Sequence, residues 1–482
     1  MCYDVAAPAL FARISTEFCR ILNDPRSTFA RDWLLLPAAM IIASVSAYAS
    51  DGSDTDSARA RPSTHRVQVV LEVRGDMKVK SDGGKVTTLP LLVEGGLTYD
   101  ELLLDSKASP WSRRSVRHYS QAEAKMKVGN GALTRTLQPD HRLLVAQADR
   151  DGSLVFSPAG PLTRDELDLV DIQGNTLLLG CLLPDSAVKV GEEWKLNADQ
   201  LAILLGLDVI TQQDANCTWT GVENGIATME VKGSIDGAVG GIPSKIALHA
   251  RAQWDVAKRT ITWFAAVIKE QRSIGQAEPG LDVVARLRMT ISAVERSEHL
   301  SEAALAGVSL EARPGCELLA YQAERSHFRL FHDRRWRAVL DRHDVSILRL
   351  IDRGDLLAQC NISELPDQEP GKQMSLEEFQ ADIQRAIGQS FGQFLEATQN
   401  TRDDGRRVLR VVVSGTASEV PIQWVYYHLS DATGRRAALA FTLEAKLVER
   451  FAENDRTLAD TFEFLRRPEP TEAQKPVDKK RS

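Results

Sequence analysis

From His65 onward the apolar residues recur at every second position, and this period restricts the fold more than any other feature of the chain. Val67, Val69, Leu71 and Val73 alternate with polar residues. Successive side chains of a strand point to opposite faces, so the pattern specifies a strand with one buried face. Further strands are expected at Leu89–Val93, Tyr99–Leu104, Val116–Val128, Leu143–Gln147 and Leu154–Phe156. Cys217–Val222 and Ile226–Val231 flank Asn224-Gly225, a pair that tolerates positive φ and so predicts a two-residue hairpin. Ile246, Leu248, Ala250, Ala252 and Trp254 line one face of the next strand. Ile261, Trp263, Ala265 and Val267 are expected to answer across the turn, followed by Val283, Ala285, Leu287, Met289, Ile291 and Ala293. Such faces have to be covered, by helices or by a second sheet.

Two short helices interrupt the alternation. Thr163 and Glu166 form a capping box before Leu167 and Val170, and Asn197 caps Ala198–Leu205, which Gly206 ends. Residues 297–317 are Ala-, Ser- and Glu-rich and weakly patterned, and they read as a linker. Beyond it, Phe328–Phe331, Trp336–Leu340, Ser346–Ile351 and Leu356–Ile362 read as strands. The strongest helix follows, with Ser375 and Glu378 as its box and Leu376, Phe379, Ile383, Ile387, Phe391 and Leu395 at helical spacing. Leu409–Val413, Val420–His428, Ala437–Thr442 and Thr461–Leu465 read as strands, with a helix at Ala445–Phe451. The expectation is an α+β protein: an antiparallel β-rich domain over residues 65–296, as a curved sheet or half-barrel with short helices, and an antiparallel sheet with packed helices over 318–465.

The ends differ in kind. Trp33–Ser46, WLLLPAAMIIASVS, is a short apolar core followed by Ala47-Tyr48-Ala49, the pattern of an export leader over residues 1–50. The core is short for a membrane span, which takes roughly 20 apolar residues. Residues 51–64 and 466–482 are small, polar and unpatterned, and they read as a flexible arm and a disordered tail. Arg13, Arg20, Arg26 and Arg31 balance Asp4, Glu17, Asp24 and Asp32, so the rest of the chain keeps the whole net charge of −7. That excess argues against nucleic acid as a partner. With Cys2 and Cys19 in the leader, Cys181, Cys217, Cys316 and Cys360 remain. Their spacings fit no zinc pattern. Cys181 with Cys217 and Cys316 with Cys360 could pair in an oxidising compartment, or all four could be buried thiols.

HFRLFHDRRWRAVLDRHDVSILRL, RGDLLAQCNISELP, SLEEFQADIQRAIG and AENDRTLADTFEFL, in that order from Leu318 to Leu465, resemble PsbP-like α/β/α sandwich domains. The resemblance lies in pattern and element order, and it implies a mostly non-catalytic accessory or assembly role. Thr98–Glu101, Pro161–Asp171 and Leu183–Trp194 resemble exported bacterial proteins of unknown function, such as those of planctomycetes. More loosely, the long strands with two helices resemble the half-barrels of lipoprotein carriers. Neither resemblance supplies catalytic residues.

Candidate chemistry is sparse. His327 and His332 are expected on opposite faces of one strand, with His343 beyond a turn, and no third ligand type completes a metal set. Asp149, Asp151 and Gly152 mimic the start of a calcium loop but lack its later ligands, which favours a turn. Asp165 and Asp168 could pair as carboxylates on one helix, or could simply favour the helix start among Glu166 and Asp171. Arg325, Arg329, Arg334, Arg335, Arg337 and Arg342, interrupted by acids, read as a solvated face, and Arg353-Gly354-Asp355 as a turn. The expected function is non-catalytic: an exported binding, carrier or assembly factor of the cell envelope, for an apolar ligand or an envelope protein. It needs no cofactor and keeps no membrane span once the leader is removed. Trp254, Trp263 and Met289 mark the strands for such a ligand. The alternatives are a hydrolase built on Asp165 and Asp168 and a purely structural envelope protein with no cavity.

Overall fold

The computed structural model describes residues 64–80, 84–104, 113–148, 153–184, 188–323, 326–342 and 344–466. The leader, the arm up to residue 63, the tail beyond 466, Asp149, Asp151, Gly152, Arg325 and His343 lie outside the described residues, and Thr64, expected in the arm, already belongs to the first strand. The chain divides into two compact units: residues 1–318 with 351–356, and residues 319–350 with 357–482.

The first unit is built on β1 (Thr64–Lys80), β2 (Val86–Leu103), β3 (Arg114–Val128), β4 (Gly131–Thr136), β5 (Leu143–Ala148) and β6 (Ser153–Phe156). A two-residue β7 (Leu162–Thr163) leads into α1 (Arg164–Val170), and β8 (Glu193–Lys195) precedes α2 (Ala198–Leu205). Then come β9 (Val209–Gln213), β10 (Asn216–Glu223), β11 (Ile226–Val239), β12 (Ile242–Asp255), β13 (Thr260–Arg272) and β14 (Gly280–Ala293), with a one-turn α3 (Glu302–Leu305) beyond. One open sheet of 13 strands runs β6-β5-β3-β2-β1-β14-β13-β12-β11-β10-β8, with β4 on β3 and β9 on β11. The Asn224-Gly225 turn forms as its residues require, both at positive φ.

The register places one continuous apolar face along this sheet. Val67 and Val69 sit opposite Ile291 and Met289 on one side, and opposite Tyr99 and Leu97 on the other. Met289 then meets Phe264, Phe264 meets Ala252, and Ala252 meets Met229. The helical segment covers this face. α1 buries Leu167, Leu169 and Val170, the 3-10 turn Leu179–Leu182 buries its end residues, and α2 buries Leu201, Leu204 and Leu205. Gly174, between them at φ 83°, lies so close that a Cβ there would stand 2.9 Å from Leu287 Cδ2. The opposite face is charged: Glu230 accepts from Lys232, His249 and Arg251 at 2.7–3.0 Å.

The second unit contains β15 (Leu319–Ala323), β16 (Phe328–His332), β17 (Trp336–Asp341), β18 (Ser346–Asp352), β19 (Asp355–Leu365), α4 (Leu376–Ile387), β20 (Phe391–Thr401), β21 (Arg407–Ala417), β22 (Val420–Ser430), β23 (Arg436–Glu444), α5 (Val448–Phe451), α6 (Asn454–Thr461) and β24 (Glu463–Phe464). Seven strands run β17-β18-β19-β23-β22-β21-β20. α4 packs Phe379 and Ile383 on Leu409, Val411 and Val413 of one face. Phe451 of α5, Leu458 and Ala459 of α6, and Phe328 and Leu330 of β16 join the core on the other.

The expected α+β class is corrected. The protein is mostly antiparallel β, with 57% of the described residues in strands and 15% in helices. Its strands reach 18 residues while its longest described helix has 12. The helices therefore serve as covers for the sheets rather than as a second, equal layer. Three local expectations also change. Leu89–Val93 and Tyr99–Leu104 are one strand, because ladders on both sides hold Gly95 and Gly96 extended. α4 stops at Ile387, where Gly388 takes φ 59°, and Phe391 and Leu395 fall in the edge strand β20. The segment before Glu463 is helix α6, and only two residues of the expected final strand pair.

Candidate functional site

Trp254, Trp263 and Met289 do not share a face. β13 carries a bulge: Gln253 pairs with Trp263, but Trp254 pairs with Ile261, so Thr262 is the extra residue. One extra residue exchanges the two faces. Ile261, Phe264, Ala266 and Ile268 are buried on one face of β13, while Trp263 pairs with Thr290 on the other, where the small Ala265 is also buried. Met289 is 1% exposed beneath Val170 and Ile172. The crevice above it, lined also by Leu97, Tyr99, Arg117, Asp171 and Asn175, has a volume of ≈10 Å³. That is room for about one water molecule and no more.

Beside the crevice lies a buried charged network. Glu101 on β2 and Arg117 on β3 face each other across the ladder at inward positions. Arg117 Nε donates to Glu101 Oε1 at 2.8 Å, with both side chains almost wholly buried. Ser115 Oγ and Thr176 Oγ1 donate to the same oxygen at 2.9 and 2.8 Å. The second guanidinium arm donates to Asn175 Oδ1 at 2.7 Å and Thr176 Oγ1 at 3.0 Å. Asn175 in turn donates to Ser153 Oγ at 2.9 Å. The guanidinium lies 5.3 Å from the centre of the Tyr99 ring, which packs on Tyr119. Burial opposes charge on Arg117, yet Tyr99, Glu101 and Tyr119 around it hold its pKa above the ordinary value. Burial also raises the pKa values of both tyrosines. The Arg117, Ser115, Thr176 and Asn175 donors are thus spent on neighbours, while the buried Tyr119 hydroxyl has no hydrogen-bond partner. The network ties β2, β3 and β6 to the segment between α1 and the next helical turn, and it offers no exposed reactive group.

The acidic residues of α1 divide. Asp165 pairs with Arg135, and Asp168 lies 3.7 Å from Arg164, so each carboxylate has an arginine of its own. Glu166 turns inward. It completes the capping box with Thr163, accepts from Gln138 N at 3.1 Å and meets His141 Nδ1 at 2.8 Å. Despite its burial, these bonds hold its pKa below the usual carboxylate value, and they raise that of His141.

In the second unit Asp455, fully buried on α6, accepts from Tyr427 Oη at 2.7 Å and from Arg410 Nε at 2.9 Å. Arg410 also donates to Glu396 at 2.6 Å. His332 is buried, with Nδ1 2.8 Å from Asp333 O, and His327 sits in a turn at φ 49° outside β16. Arg329 pairs with Glu463 and Arg335 with Asp333, as a solvated, paired surface requires. Arg353 and Gly354 form the two-residue turn between β18 and β19, both at positive φ. None of Cys181, Cys217, Cys316 and Cys360 is in a disulfide, and burial pushes the thiols of Cys181 and Cys217 up to about 12. Among the described residues no group of three or more His, Cys, Asp or Glu side chains is placed to hold a metal ion, and no helix is long and apolar enough to cross a membrane.

No family model matches the sequence, and no curated protein matches it. Over 32% of its length the chain is similar to the solution structure of cyanobacterial PsbP from Synechocystis sp. PCC 6803, at 14% identity, 98% coverage of that chain and a TM-score of 0.25. Over 80% it is similar to a loop-deletion mutant of OmpT, an outer membrane protein of Vibrio cholerae, at 7% identity, 99% coverage and a TM-score of 0.11. Over 79% it is similar to Pseudomonas aeruginosa OccK11, at 8% identity, 96% coverage and a TM-score of 0.12. At these scores none of the likenesses bears on fold or function.

Proposed function

We propose that this chain is an exported, non-catalytic scaffold or assembly factor of the cell envelope, one that meets a protein partner through its surface. One observation carries the reading: beside Met289 the apolar face of the large sheet is closely packed, and a second pocket lined by Tyr119, Leu137 and Arg142 measures ≈170 Å³, short of a drug-sized site. Met289 lies under Val170 and Ile172, and the crevice beside it measures ≈10 Å³. Drug-sized ligands occupy pockets of about 300–1,000 Å³, so an apolar cargo has no place there as the structure stands. Against the hydrolase alternative, Asp165 and Asp168 each face an arginine, which favours a role in charge pairing. Export rests on the Trp33–Ala49 pattern, and it limits the partner to the envelope.

Native mass spectrometry of the protein purified from its own envelope tests the proposal. The expected result is a mass equal to the mature chain, alone or with a second protein. A stoichiometric lipid or other small apolar molecule would overturn it in favour of a carrier.

A further inference from the structure

Beyond β14 the chain turns back over the polar face of the large sheet, and two imidazoles meet there. His118 of β3 and His299 stack with ring centroids 3.8 Å apart and planes 16° from parallel. His299 belongs to the one-turn 3-10 helix Glu298–Leu300. Two further contacts hold this turn. Ser297 Oγ donates to Asp100 Oδ2 of β2 at 2.8 Å, and Leu300 is 5% exposed. The charged groups around the rings come from four segments. Asp100 lies across from His118, already engaged by Arg66 of β1 at 2.8 Å. Arg142 follows the turn Pro139–His141 and repels a proton on His118. The turn itself carries Arg296 and Glu298.

Stacking at this distance suits neutral rings. Protonating both would set like charges about 4 Å apart, close to a third on Arg142. Asp100 works in the opposite sense, but its oxygens are shared with Arg66 and Ser297. We propose that the His118–His299 stack is a proton-released latch, which holds the start of the β14–β15 connection against β2 and β3 and lets it go in acid. Burial first, then His299 and Arg142, hold the His118 pKa below its ordinary value. The docked turn therefore binds fewer protons than the free one. Its docking is complete above the free imidazole value of about 6.5 and weakens as pH falls through the lower, docked value.

Hydrogen exchange of the full chain, read by mass spectrometry at pH 7.5 and 5.5 and corrected for intrinsic rates, tests the latch. Peptides spanning Val294–Leu305 are expected to lose protection by about threefold or more at pH 5.5, while peptides from β1 and β14 hold theirs. In the double variant His118→Phe with His299→Phe neither ring can be protonated, and protection is expected to persist at pH 5.5. Equal protection of the wild-type turn at both pH values would overturn the proposal. So would an acid response that the double variant leaves intact.

Discussion

At the scale of the residue, the informative side chains are polar groups in apolar company. Glu101 and Arg117 are a buried pair whose removal leaves an uncompensated charge. Glu101→Gln or Arg117→Met alone is expected to cost about 3–5 kcal/mol in urea unfolding, and the double change Glu101→Leu with Arg117→Met distinctly less than their sum. Single losses under about 1 kcal/mol would show that the pair is dispensable. His428 makes the second case. It is 2% exposed against Phe379, and burial beside Arg436 and Arg407 lowers its pKa to about 4. The folded state keeps the ring neutral, while the unfolded chain protonates it near pH 6.5. Its contribution is therefore present above about pH 6.5 and lost as pH falls through about 4, on the order of 3 kcal/mol across that window. His428→Phe is expected to flatten the acid limb of the stability curve, and an unchanged limb would exclude His428 as its cause. The sequence carried a signal for the first site. Glu101 and Arg117 occupy inward positions of alternating strands, in phase with Leu97, Tyr99 and Tyr119. A charge in phase with a buried stripe has to find a partner. The partners Asn175 and Thr176 were not legible, because they come from an irregular segment more than 50 residues away.

At the scale of the element, alternation located the strands but not their phase. The strict period from Ile261 puts Trp263 on the apolar face. The bulge at Thr262 reverses that phase, and Phe264 takes the buried place. A bulge leaves no residue signature as strong as Asn224-Gly225 does for a turn. The assignment is open to direct test: Trp263→Lys is expected to change stability by about 1 kcal/mol or less, and Phe264→Lys by more than about 3 kcal/mol, in thermal or urea unfolding. The reverse order would restore the original phase. The α4 box and its first apolar residues were readable, since Ser375 and Glu378 act locally. Its end was not, because Phe391 still follows the helical spacing although Gly388 has turned the chain into β20.

At the scale of the whole molecule, the sequence announced a β-rich protein yet overstated its helices. Local pattern reports that a face is apolar, but not how few helical residues suffice to cover it. In the first unit α1, α2 and the turns between them cover it, with Gly174 drawn close against Leu287 and Phe264. The same economy removes the space that a carrier would need. The central claim is therefore that this interior is full. Fluorescence titration of the purified protein with an apolar probe such as 1-anilinonaphthalene-8-sulfonate, repeated on Met289→Ala, tests it most directly. The wild type is expected to show no saturable site. Met289→Ala removes only the Cγ, Sδ and Cε atoms beside a crevice of ≈10 Å³, which leaves room far below that of a drug-sized site, and is expected to show none either. Saturable one-to-one binding to the wild type, competed by a lipid, would contradict the account.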